Sequence, residues 1–127
     1  MNKELTQDDE KVLYEAGYLL LKKGNIKAAR EIFEGLVAMV PEKGTPHTFL
    51  GQTYFAESNF EEALKHHRKA VELAPDNSGS WAHLGESLVV MQQKEEAVTV
   101  LKKVIAMDPQ GPAGKMAKGL LELVNLG

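Results

Sequence analysis

Four histidines, at positions 47, 66, 67 and 83, are the side chains of this 127-residue chain best suited to metal or proton chemistry. His66 and His67 are adjacent, so on a helix their side chains diverge by about 100° and cannot both face one ion. His47 and His83 fall on different segments, and no Asp or His accompanies any of the four at ligand spacing. No metal site is therefore expected. Cysteine is absent, which removes a disulfide framework, a thiolate nucleophile and a zinc–thiolate centre together. The carboxylate pairs Glu61-Glu62 and Glu95-Glu96 suggest acid–base work at first sight. Each pair sits where a helix begins, however, and there it complements the helix dipole. The sequence contains no G-x-G-x-x-G, no P-loop, no G-x-S-x-G and no H-E-x-x-H. The expectation is a protein that is not an enzyme, with no catalytic residues, no metal and no cofactor.

Charge points the same way. Fifteen Lys and Arg stand against 18 Asp and Glu, a formal net charge of −3, so no phosphate-neutralising patch is on offer and nucleic acid is not an expected partner. The opening Met-Asn-Lys-Glu-Leu-Thr-Gln-Asp-Asp-Glu has no apolar stretch of signal-peptide type. Apolar runs elsewhere are a handful of residues, far short of a membrane span. A soluble cytoplasmic protein is expected, and the length suits one domain, 1–127.

The elements that position these groups emerge when the sequence is laid on itself. Gly17, Gly51 and Gly85 are 34 residues apart, as are Ala29, Ala63 and Ala97, and Pro41, Pro75 and Pro109. A period of this length, held in register three times, marks a repeat architecture. Apolar residues recur three and four apart, as in Phe33, Leu36, Val37 and Val40, which is helical spacing. Each unit reads as a helix pair: about Asp8 to Lys23 and Ile26 to Met39, then Pro46–Glu57 and Phe60–Leu73, then Gly79–Met91 and Lys94–Met107. Thr45 before Pro46 suggests an N-cap with proline at the first helical position, and Asn59 with Glu62 has capping-box spacing. Lys23-Gly24-Asn25 and Ser58-Asn59 are short turns, and each of the three prolines stops a second helix. The repeated small residues let the two helices of a pair approach closely. No pair can bury its apolar face alone, so the pairs stack into a right-handed arc.

On these residues the chain resembles the tetratricopeptide repeat (TPR). The third unit supplies Trp81, Leu84, Gly85, Ala97 and Pro109 to that family's pattern. The second supplies Leu50, Gly51, Tyr54, Ala63, Ala70 and Pro75, and the first Gly17, Ala29, Phe33 and Pro41. Leu20 and Leu88 replace the tyrosine, His67 and Leu101 the aromatic, and Leu36 and Val104 the second alanine. His67 is accordingly expected to fill the aromatic slot, His66 to be solvated and Trp81 to be a packing residue. The resemblance implies an all-α, right-handed superhelical array with units at about 10–43, 44–77 and 78–111. A capping helix at about 112–125 follows, with Gly119 in phase with Gly85. Met116, Leu120, Leu123 and Val124 would cover the last pair, while Leu121 and Leu126 sit partly off that stripe and hint at self-association.

In this family the first helix of each pair lines the concave face. Carried over, the lining here is Tyr14, Tyr18 and Leu21, flanked by Lys11 and Lys22; then Thr48, Gln52 and Phe55; then Ala82, Glu86 and Val89. Family members that clamp acidic chaperone C-termini present lysines, asparagines and an arginine at such places. Here a carboxylate would meet Glu86 without a cation, which opposes binding. An apolar, ring-bearing groove suits apolar anchors of a partner peptide. The implied function is a non-catalytic adaptor or chaperone. The alternative is a scaffold that self-assembles through its groove or its C-terminal helix. The run Leu13-Tyr14-Glu15-Ala16-Gly17-Tyr18, with Gly24-Asn25, Ala29, Ile32-Phe33 and Leu36, is also similar to the opening repeat of class II type III secretion chaperones, which hold translocator segments.

Overall fold

The computed structural model describes residues 4–126, the last of them by its backbone alone, so the expectations for Met1 to Lys3 and for the Leu126 side chain lie outside the described residues. Among the described residues seven helices follow one another: α1 Gln7–Lys22, α2 Ile26–Met39, α3 Thr45–Ala56, α4 Phe60–Leu73, α5 Ser78–Val90, α6 Lys94–Met107 and α7 Pro112–Leu126. No strand occurs among the described residues. Local chemistry sets the boundaries. Thr6 and Asp9 form a reciprocal capping box at the start of α1. Asn25, Asn59 and Asn77 each accept from a backbone N–H of the first turn that follows, satisfying a donor the helix leaves free. Thr45 is not a cap. It is already helical, Gly44 holds the N-cap position without a side-chain bond, and Pro46 lies one residue further in.

The pairing inside each unit turns on one contact repeated three times. A Cβ on Gly17 would strike the Phe33 ring, one on Gly51 the His67 ring, and one on Gly85 the Leu101 side chain. Glycine is thus required on α1, α3 and α5 because the large residue of the following helix lies flat against their backbones. The turns inside the units are equally regular. Gly24, Ser58 and Gln92, all at one place in the repeat, adopt left-handed backbone with φ of 85°, 61° and 60°.

Three apolar clusters run along the array. Ala29, Phe33, Leu36 and Leu50 join α2 and α3, with Leu13, Tyr14 and Leu20 of α1 packed against them. Leu64, Val71, Leu84, Leu88, Ala97 and Val100 join α4, α5 and α6. Ala82, Leu101, Val104, Ala113, Ala117 and Val124 join α5 and α6 to α7, which closes the end of the stack as a capping helix.

Candidate functional site

The helices α1, α3 and α5 lie side by side, so their facing side chains form one continuous surface. At its α1 end Tyr14 and Tyr18 both meet Phe49, at ring-centroid distances of 5.5 and 6.5 Å. Phe49 in turn stacks on the buried Phe33 at 4.9 Å. Tyr18 remains 47% exposed, with the Lys22 ammonium 5.7 Å from its ring centre. Tyr14 is half-buried and its hydroxyl has no hydrogen-bond partner. Burial, and then the Glu10 carboxylate, push its ionisation up to about 12, so it stays a neutral phenol. Glu10 itself is nearly buried and takes the Lys43 ammonium on both oxygens at 2.9 Å. Leu21 packs half-buried against the same cluster.

Further along, the surface turns polar. Gln52 and His83 meet at 2.7 Å through Nε2 atoms. An amide nitrogen only donates, so His83 Nε2 accepts and its proton sits on Nδ1, 3.6 Å from the Glu86 carboxylate. Phe55 lies half-buried with its ring edge-on to Phe60 at 5.0 Å. Val89 belongs to a separate cavity of about 420 Å³, shared with Gln92, Lys94, Leu123 and Val124.

Two expected lining residues do not line anything open. Thr48 is buried, its hydroxyl 2.8 Å from that of Ser80, because α5 packs over it. Ala82 is 1% exposed, because α7 lies on it through Ala113 and Ala117. The chain's own last helix therefore covers part of the surface assigned to a guest. Conversely, Phe49 was missed. The signal was present, since a phenylalanine next to Thr48 shifts the face of α3 by about 100° toward α1.

The histidines also depart in part from expectation. His67 does fill the aromatic slot: it is fully buried against Gly51, and its Nδ1 lies 2.6 Å from the Ser87 hydroxyl. Burial, with His83 nearby, lowers its pKa to about 3. His66 is only partly solvated, because its ring stacks on Tyr54 and on His47, each at 5.4 Å. Among the described residues no group of three or more His, Cys, Asp or Glu is placed to hold a metal ion. No helix among them is long and apolar enough to cross a membrane.

Stacked helical hairpins with a shared face of first helices define a helical-repeat solenoid. The chain belongs to the tetratricopeptide repeat family, whose models match residues 14–78 and 54–121. It is similar to the first TPR of Spaghetti (RPAP3) bound to the HSP90 peptide SRMEEVD, with 20% identity, TM-score 0.83, and 98% of this chain and 97% of that one covered. It is similar also to the Yersinia enterocolitica type III secretion chaperone SycD in complex with a peptide of the translocator YopD, with 17% identity, TM-score 0.81, and 98% of each chain covered. At these identities the likeness is one of fold. Among curated proteins, it is 25% identical over 87 residues to tetratricopeptide repeat-containing protein trd-1 of Caenorhabditis elegans. It is 24% identical over 101 residues to TPR repeat-containing protein YpiA of Bacillus subtilis. The alignments cover 68% and 80% of this chain but only 11% and 24% of those two relatives.

Proposed function

We propose that this chain is a non-catalytic peptide-binding module, an adaptor or chaperone of the cytoplasm, that receives an apolar segment of a partner on the face formed by α1, α3 and α5. The observation that carries this reading is the Tyr14–Phe49–Tyr18 cluster, which ends in a tyrosine ring 47% exposed on a rigid aromatic base. Such a ring offers area at little entropic cost and a polar tip for orientation. The peptide complexes of Spaghetti and SycD lend support, since both are TPR folds that hold a peptide. Of the two ligand chemistries, the apolar one suits this chain better. The SRMEEVD peptide is acidic, whereas Gln52 and Glu86 stand here on the same face. The finer role of a secretion-translocator chaperone follows that preference and rests on the first unit's residues.

The test is selection of a displayed peptide library on the protein. Sequences with apolar or aromatic anchors should be enriched, and Tyr18→Ala should weaken them about tenfold without moving the melting temperature. Failure to enrich any sequence, or equal binding by the variant, refutes the reading. A second reading, self-association, is favoured by Val90 and Leu123, which are 40% and 60% exposed. Sedimentation over a concentration series decides it, and a persistent monomer removes it.

A further inference from the structure

Away from the peptide face, the second hairpin carries a pocket of about 410 Å³ lined by His47, Lys65, His66, Arg68, Lys69 and Glu72. His47 lies about 140° round α3 from Gln52, so this is a different surface. The third hairpin shows what the same place holds elsewhere in the repeat. Thirty-four residues on from His47 and Lys69 stand Trp81 and Lys103. There the indole donates to the Pro75 carbonyl at 2.7 Å, and the Lys103 ammonium sits 3.8 Å from its ring centre. An imidazole is much smaller than an indole. At position 47 it leaves room, and it brings ring nitrogens to the pocket that Lys69 also lines.

Those nitrogens are paired. His47 Nδ1 and His66 Nδ1 are 3.1 Å apart, a distance at which one donates a proton that the other accepts. One further proton makes the pair cationic, whichever open ring nitrogen receives it, and an anion alongside favours that form. Lys65 and Lys69 line the same pocket. We propose that this pocket is an oxyanion site, taking a phosphate- or sulfate-type group between the His47–His66 pair and the ammonium groups of Lys65 and Lys69, with uptake of a proton on binding.

The surrounding charges agree with that coupling. Burial, then His66 and Lys69, hold His47 below its usual pKa. Burial and Lys65 lower His66, while Glu62 from its own helix and Glu34 from α2 pull it upward. The pair is therefore uncharged at neutral pH when the pocket is empty, and an anion reverses the balance. Arg68 is engaged by Glu96 at 2.6 and 2.8 Å and acts only at a distance. Lys69 is held loosely by Glu72 at 3.7 Å and is free to turn. A metal ion fits less well. Of the carboxylates around the pair, Glu62 faces His66 Nε2 at 3.9 Å rather than the paired Nδ1 atoms, Glu72 is turned to Lys69 at 3.7 Å, and two lysines repel a cation.

The experiment is a sulfate titration followed by the histidine ring resonances, since sulfate stays a dianion throughout the range used. Sulfate should move the His47 and His66 signals, with affinity about tenfold tighter at about pH 5.5 than at about pH 8. The exposed double variant Lys65→Gln/Lys69→Gln should lose about tenfold at the lower pH, and His47→Gln should flatten the pH dependence. A phosphoserine peptide set against its unphosphorylated form distinguishes an anion carried on a chain from a free one, and binding in either arm supports the pocket. Equal sulfate affinity at both pH values, indifference to the lysine variants, or ring shifts with zinc in place of sulfate would overturn the proposal.

Discussion

In the third hairpin Gly85 faces Leu101 and Trp81 lies under Lys103, whereas in the second Gly51 faces His67 and His47 shares a pocket with Lys69. The backbone plan is shared, down to the left-handed turn residue at Ser58 and Gln92. The filling differs in kind. The third unit packs hydrocarbon and a half-buried indole. The second holds the ring pair of His47 with His66, and its His67 meets His83 of the next hairpin, so that their protons depend on hydroxyl, amide and imidazole neighbours. The contrast teaches that this repeat fixes shapes more tightly than polarity. A position needs a flat side chain against a glycine, and either leucine or histidine can supply it, but only histidine makes the unit answer to pH.

The largest expected consequence of that difference is acid lability. His67 titrates at about 3 in the folded chain and near 6.5 when unfolded. The unfolded state therefore binds more protons between those values. Stability is fully present above about pH 6.5 and is lost as pH falls toward about 3, by about 1.4 kcal/mol for each pH unit crossed. Denaturant unfolding from neutral to acid pH should show this loss. The double variant His67→Leu/Ser87→Ala, which copies the third unit without orphaning the hydroxyl, should remove most of it.

Next in size is the reverse copy. Trp81→His gives the third unit the smaller ring of the second, losing the bond to the Pro75 carbonyl and the stacking of Lys103. It should cost about 2–3 kcal/mol in urea unfolding at neutral pH. A variant as stable as the parent would mean that the two slots are not equivalent. The smallest effect is at the turns. Gln92→Gly, which copies Gly24 of the first unit, should stabilise by about 1 kcal/mol by relieving left-handed strain. Ser58→Gly should match it, and a difference between the two would expose turn contacts that the repeat does not share.

How much of this could be read from residue order follows the same division. The helix pairs were legible to within a residue, because Gly17, Ala29 and Pro41 and their counterparts fix the register and the asparagines fix the starts. Thr45 misled because a proline usually follows its cap directly, and here the helix takes in the threonine as well. The candidate surface was legible at Tyr14, Tyr18, Gln52 and Glu86, whose face is set by position on one helix. It was not legible at Thr48 and Ala82. Whether such a residue meets solvent depends on how the next helix tilts across it, and that tilt is decided by packing with Ser80 in one case and Ala117 in the other. The His47–His66 pair was hidden for a related reason. It joins residues of two helices through side-chain rotation, which spacing does not encode.

The hydroxyls of Ser80 and Ser87 touch Thr48 and His67 across the boundary between the second and third hairpins. Apolar stacking alone tolerates sliding, because one methyl group serves nearly as well as its neighbour; a hydrogen bond holds only at one offset. Two such pins lock the pitch of the coil at that joint. The joint with α7 is filled by apolar side chains instead, Ala113, Ala117 and Val124 with Met116, Leu120 and Leu121 beside them, and owes its hold to packing.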